Sequence, residues 1–415
     1  MPQLILKAAL LLLIFVLSFY SIELSFVVSV LILLISITKT VSFNILISSL
    51  LLLSIVFIGI ISSYELKHSF YEFLKDNIYF IRPVTILTAT YFSVKRIKTK
   101  NYVFNALVIV ALFFAVNHLF KIIININNIN SYIYLRNLGG KQNHIEAIAL
   151  VFLWFTPYVT VFARYRKLII FVLLVSFVLY LSRTMFIILF IYFLGYKGYL
   201  FLNKRFIKAI FAFALTIATF GFIVTNIETN RDSEGLKAFI YKTQNSLTEL
   251  FEPIDTKNIL KDRRVLWEHW RAYEAIKAID QVNGNGFKAW IIGMGFGSQI
   301  ELDTYVNLDG KKFTKVPSIH NGFINVLFKS GILGLMCYVF FIFHIFFAHQ
   351  KILTKDRNIS LMHKLIIASS LYMLVNSFVI NGIFRPGEFS VFLYGALVAS
   401  IYKFKNQIVP PNNNK

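Results

Sequence analysis

At 415 residues the chain is 57% hydrophobic and only 15% charged, with a mean hydropathy of +0.68. A soluble domain carries about 25% charged residues, so a water-soluble globular protein, a disordered chain and a fibrous repeat are all excluded. Lys and Arg total 42 against 20 Asp and Glu, a charge of +22 that in a soluble protein would suggest nucleic acid and here has another explanation in its placement.

Apolar segments fall at 4–20, 22–38, 43–62, 78–94, 102–122, 146–163, 167–181, 184–196, 206–225, 319–348, 361–382 and 388–402. Most approach the roughly 20 residues that cross a bilayer as a helix, and they are too continuous for the alternating pattern of a transmembrane barrel. The predicted fold is therefore an all-α polytopic membrane protein with about 12 transmembrane helices. It divides into helices 1–9 (1–225), one large loop (226–318), helices 10–12 (319–402) and a tail (403–415). The opening MPQLILKAALLLLIFVL runs into a second apolar stretch with no small-residue cleavage site, so it reads as a retained first span. Cys337 is the single cysteine, which leaves no intrachain disulfide or cysteine metal site.

The charge orients the spans. Between Asn226 and Ile319 there are 13 acidic and 13 basic residues, so the whole excess lies among the apolar segments and their short connections. Lys95, Arg96, Lys98 and Lys100 follow the fourth segment; Arg164, Arg166 and Lys167 follow the sixth; Lys197, Lys204, Arg205 and Lys208 surround the eighth-to-ninth connection. Lys351, Lys355 and Arg357 follow the tenth, and Lys403 and Lys405 follow the last. All these clusters share one side of a twelve-span topology, which the positive-inside rule makes the cytoplasm. Both termini are then expected in the cytoplasm, and 226–318 is expected on the opposite face with 63–77, 123–145 and 383–387.

Within the large loop, RVLWEHWRAYEAIKAID (264–280) puts Leu266, Trp270, Tyr273 and Ile276 at helical spacing and predicts an amphipathic helix. GLKAFIYKTQNSLTELF (235–251) predicts a second. GMGFGS (293–298) neither follows a strand nor opens a GK[ST] helix, so it is not read as a nucleotide loop. Glu301 and Asp303 are the one acidic pair for a divalent cation, and a solvated acidic loop explains them more simply.

Ionisable residues in or beside spans are costly, and after the cytoplasmic clusters are set aside Arg82, Arg183, His320 and Arg385 remain on the outer face. An arginine there has a bland role, snorkelling and capping helix carbonyls. His320, beside Asn321, can take a proton near neutral pH or bond a phosphate. Arg263 and Arg264 open the amphipathic helix, where guanidinium forks and helix N–H groups suit phosphate. Gly331 and Gly334, three apart, suit close helix packing. Together these groups fit an anionic lipid-linked substrate such as a polyprenyl pyrophosphate, its leaving-group charge neutralised by arginines.

His320-Asn321, nine residues, then Gly331-Ile332-Leu333-Gly334 resembles the H-N-x9-G-x-x-G signature of O-antigen ligases. Arg263 with Trp267, Gly293-Met294-Gly295-Phe296-Gly297 and His320-Asn321 match the wider R-x-x-x-W, G-x-G-F-G, H-N pattern of the O-antigen ligase and polymerase superfamily, and Ser182-Arg183-Thr184 is similar to its membrane-edge arginine motif. The resemblance implies an inner-membrane glycosyltransferase, metal-independent and inverting, with no cofactor and its site facing the periplasm. Undecaprenyl-pyrophosphate glycan would be donor and lipid A–core acceptor, for lipopolysaccharide biosynthesis. His320 and Arg183 would be catalytic. Arg263 or Arg264, Arg82 and Asn321 would bind substrate. A polymerase and a protein O-oligosaccharyltransferase are the alternatives within the superfamily. A lipid-linked sugar transporter is the alternative outside it, and would predict charges deep in several spans and internal pseudo-symmetry.

Overall fold

The computed structural model of the protein describes residues 2–408 apart from 20, 65–68, 130, 141, 231–236, 238–239, 242, 245–255, 309–310 and 351–355. Among the described residues ten α-helices precede the large loop: α1 (Gln3–Leu17), α2 (Ile22–Ser36), α3 (Phe43–Ser62), α4 (Phe70–Arg96), α5 (Tyr102–Ile124), α6 (Tyr132–Leu138), α7 (Asn143–Phe155), α8 (Arg166–Leu179), α9 (Arg183–Lys197) and α10 (Lys204–Thr225). In the loop stand α11 (Thr256–Ile259), α12 (Arg263–Glu268), α13 (Trp270–Gly284), α14 (Gly286–Ile292) and the strands β1 (Ile300–Leu308) and β2 (Lys311–Val316). Then come α15 (Gly322–Ala348), α16 (Arg357–Val379) and α17 (Ser390–Ile408).

A helix lies over each of the twelve apolar segments. Among the described residues five of them, α3, α5, α10, α15 and α16, are long and apolar enough to cross a membrane. Phe57, Phe113, Phe171, Phe211 and Phe340 point outward, each more than half exposed. Water would not tolerate so much outward aromatic surface, and hydrocarbon does. This is a mostly helical, membrane-embedded protein.

The structure is mostly helical, in keeping with the expected all-α class, and β1 and β2 add one antiparallel hairpin in the loop. Several expectations are corrected. The segment expected as a span at 146–163 is helical only to Phe155: Thr156 precedes Pro157 and is extended (φ −120°, ψ 143°), as the proline ring demands of its neighbour. The helix expected at 264–280 is two, α12 and α13, separated at His269 (φ −102°, ψ 17°). The expected tail at 403–415 begins as helix, since α17 continues to Ile408. Most of 235–251, together with Lys351 and Lys355, lies outside the described residues.

Helix α4 is the bundle's central post, burying Phe80, Leu87 and Tyr91 and packing against α2, α3 and α17. The loop has a core of its own: Leu266, Trp270 and Tyr273 pack with Ile300, Val316 and Ile319, and reach Phe328 on α15. A joint at Gly331 connects this core to the bundle. At Gly331 (φ 65°, ψ −168°) α15 leaves helical geometry, which frees carbonyls one turn earlier. The Phe328 and Lys329 carbonyls accept from Met294 N (2.7 Å) and Gly295 N (3.1 Å). Phe296 N then donates to Ser63 Oγ at 2.6 Å, and Gly297 N to Asp76 Oδ2 at 2.7 Å. The glycine loop's amides are thus turned into the protein, where they stitch α3, α4 and α15 together. They are not available to cradle a phosphate. Gly331 and Gly334, expected to form one packing face, have different duties: a Cβ on Gly331 would meet the Ile291 carbonyl at 2.3 Å, whereas one on Gly334 would meet Ser330 Oγ of the same helix.

Candidate functional site

His320 is the residue before the N-cap of α15, and its backbone and side chain are fixed by one carboxylate. Glu274 Oε2 accepts from His320 N at 3.2 Å and lies 2.8 Å from His320 Nδ1. Its other oxygen, Oε1, accepts from Trp270 Nε1 at 2.5 Å. Glu274 is 2% exposed while the imidazole is 49% exposed. A carboxylate acceptor favours the tautomer with its proton on Nδ1, in which Nε2 carries the lone pair, and about half of the side chain is open to solvent. This is the arrangement of an oriented general base. Glu274 sits on the buried face of α13, one helical turn from Trp270 on one side and from Ala278 on the other, so the amphipathic period that buries the helix also buries the acid.

Asn321, expected to bind substrate, caps α15. Its Oδ1 accepts from Phe323 N (3.0 Å) and Ile324 N (3.1 Å), two of the donors a helix start leaves unsatisfied. Gly322 N donates to Ile380 O at 3.0 Å, which ties the start of α15 to the turn after α16.

That turn holds Arg82. Its Nη2 donates to the carbonyls of Phe384 and Arg385, both at 2.8 Å, and the residue is only 2% exposed. Arg82, expected to bind substrate, is therefore a strut under the 380–385 turn with little exposed surface. Arg183 is exposed at the first turn of α9, after Leu181, a non-glycine residue in the left-handed region (φ 46°). Helix α9 runs antiparallel to α16, Tyr192 OH meeting Ser369 Oγ at 3.0 Å and Gly195 facing Ala368. The start of α9 thus reaches the end of the bundle where α16 stops and α15 begins.

The two loop arginines are separated by their partners. Arg263 stacks on Tyr305 at 4.0 Å and donates to its hydroxyl at 2.5 Å, linking α12 to β1. Those contacts, with Lys312 nearby, hold the Tyr305 phenol below its ordinary range. Arg264 is exposed, and its guanidinium has no protein partner among the described residues. Glu301 and Asp303 each face a lysine, Lys315 and Lys277, both at 2.5 Å. The hydrogen bond to Asp303 raises the Lys277 pKa, while burial raises that of Tyr273, whose hydroxyl accepts from Asp303 N at 2.9 Å. Among the described residues no group of three His, Cys, Asp or Glu is placed to hold a metal.

Three polar groups escaped the sequence reading. One is Glu274. The second is the buried pair Asp76–Lys329, 2.6 Å apart. The third surrounds Glu388, which accepts from Tyr372 OH (2.6 Å), Asn376 Nδ2 (3.0 Å) and Ser390 N (2.6 Å), with His144 beside it. The available signal was that Asp76, His144 and Glu388 stand at the very edges of apolar segments, where an ionisable residue passes for a boundary. No protein-family model matches the chain, and a search of curated proteins finds no match.

Proposed function

We propose that the chain is an inner-membrane glycosyltransferase of the O-antigen ligase and polymerase kind, moving a glycan from undecaprenyl pyrophosphate to lipid A–core. In this reading twelve helices span the membrane, both termini are cytoplasmic, and 226–318 with His320 faces the periplasm. Supporting it are the motif resemblance, the one-sided Lys/Arg clusters and the helix over each apolar segment.

The observation that carries the chemistry is the His320–Glu274 pair at the end of the bundle, with about half of the histidine side chain open to solvent. His320 Nε2 takes the proton of the acceptor hydroxyl while that oxygen attacks the donor's anomeric carbon. The bond from that carbon to the pyrophosphate oxygen breaks on the opposite face, its electron pair leaving with undecaprenyl pyrophosphate, so the configuration inverts. Glu274 stabilises the imidazolium that forms. Arg183 and Arg264 receive the leaving-group charge, Arg264 replacing Arg263 because Arg263 is held by Tyr305.

The test is the lipopolysaccharide of a strain lacking the gene, complemented with wild type or His320→Ala. Uncapped core with accumulating lipid-linked polymer, restored only by wild type, is expected. Core capped by a single repeat would make the protein a polymerase, and unchanged capping would end the reading. Reporter fusions at Asn245 and Asp356 should report opposite compartments, and transfer by the purified protein should persist in EDTA.

A further inference from the structure

We propose that Trp267 is the platform on which the donor's first sugar stacks, an inference that rests on the glycosyltransferase reading. Trp267 belongs to α12, which already buries Leu266 in the loop core, yet its indole stays 46% exposed. It lies 5.1 Å, centroid to centroid, from Trp270, and the Trp270 N–H is bonded to the carboxylate that holds His320. The exposed indole is thus two side chains from the proposed base, on a rigid buried support. Arg264, with no protein partner among the described residues, stands one helical turn before it on the same face.

A pyranose ring has one face of C–H groups and a rim of hydroxyls. A flat indole covers the C–H face and leaves the hydroxyls wet, which suits a sugar and does nothing for a phosphate. The order Arg264, Trp267, His320 then repeats the order of the reacting molecules: pyrophosphate, donor sugar, incoming hydroxyl. Phe287 and Phe313 are also exposed in the loop, but among the described residues neither stacks on a side chain that holds His320. An exposed tryptophan beside a membrane has another use, anchoring at the lipid interface through its amphipathic ring, and that use involves no contact with the glycan.

Two measurements on the full-length protein in detergent separate these uses. With undecaprenyl-pyrophosphate glycan extracted from a ligation-deficient strain as donor, Trp267→Leu should raise the donor KM by about tenfold, with kcat and the acceptor KM little changed. Trp267→Phe, which keeps a flat ring, should fall between. Glycan freed from its lipid by mild acid should shift the tryptophan emission of wild type and His320→Ala, and should not shift that of Trp267→Leu. An unchanged donor KM in Trp267→Leu, or an emission shift that survives this substitution, overturns the platform. Because the emission readout needs no turnover, a Trp267-dependent shift in a protein that transfers nothing would uphold the sugar contact and remove the transferase reading.

Discussion

Lys329 Nζ lies 2.6 Å from Asp76 Oδ2, and both residues are buried, one in α15 two residues before its break at Gly331 and the other in the first turns of α4. Asp76 Oδ2 also accepts from Gly297 N, while Lys329 Nζ donates to the Ser298 carbonyl. The pair therefore clamps the glycine loop against two helices, and the same loop leads through β1 and β2 to His320. A buried ion pair with additional hydrogen bonds is held because each charge would be intolerable alone.

Removing one member should accordingly do more harm than removing both. Lys329→Met or Asp76→Asn alone is expected to destabilise by about 3–5 kcal/mol, because one charge stays buried without its counterpart. The double variant should recover part of that loss, since the amide introduced by Asp76→Asn keeps an acceptor for Gly297 N. Thermal unfolding in detergent reads this directly. Additive losses in the double variant would mean that the two residues do not act as a pair.

Gly331 and Gly334 provide a contrast in backbone chemistry. Gly331→Ala puts a Cβ into a left-handed residue and within 2.3 Å of the Ile291 carbonyl, so the loop must undock. Membrane abundance should fall steeply. Gly334→Ala sets a Cβ 2.5 Å from Ser330 Cβ of the same helix, so α15 must shift locally while the loop's docking contacts stay in place, and the loss of abundance should be smaller than at Gly331. Equal damage at both positions would return them to one helix-packing face.

The apolar helices were legible because hydropathy over some twenty residues needs no partner to be read. The contacts between distant polar residues were not. Glu274 and His320 are 46 residues apart, on a helix and before a helix cap, and nothing in either neighbourhood points to the other. The hairpin could have been found: Asp309-Gly310 between IELDTYVNL and KKFTKV is a hairpin dipeptide between two runs of strand-favouring residues. The break in α15 at Gly331 was illegible for a further reason, since a mid-helix glycine in an apolar run says nothing of the loop that will dock there.

The arginines should divide by abundance as well as by activity. Arg82→Ala removes two bonds to the carbonyls of Phe384 and Arg385 from inside the bundle, so the protein should be less abundant and activity should fall with it. Arg264→Ala and Arg183→Lys should leave abundance near wild type and lower transfer by about tenfold or more, because an ammonium lacks the bidentate fork. Arg263→Ala should show an intermediate pattern, loosening α12 from Tyr305. Immunoblots of membranes beside the lipopolysaccharide ladder separate the classes. If Arg264→Ala transfers normally while Arg263→Ala is inactive at full abundance, the pyrophosphate assignment passes to Arg263.

His320 and Glu274 offer the most stringent comparison, because the carboxylate is proposed to act only through the imidazole. His320→Gln keeps a side chain able to hydrogen-bond but unable to take a proton, and transfer should fall by about 10²–10⁴-fold. Glu274→Gln preserves size and one acceptor while removing the charge that favours the imidazolium, and should cost about 10–100-fold in kcat. Glu274→Ala should cost abundance too, since the Trp270 N–H and the His320 backbone N–H both lose their acceptor. The deciding measurement is the double variant Glu274→Gln with His320→Gln. If Glu274 works by orienting and polarising the base, its loss has nothing left to damage once the base is gone, and the double variant should transfer no more slowly than His320→Gln alone. Full multiplication of the two losses would give Glu274 a function independent of His320. A His320→Gln variant with near-normal kcat would leave the open imidazole as a positioning group and withdraw the general base from the mechanism.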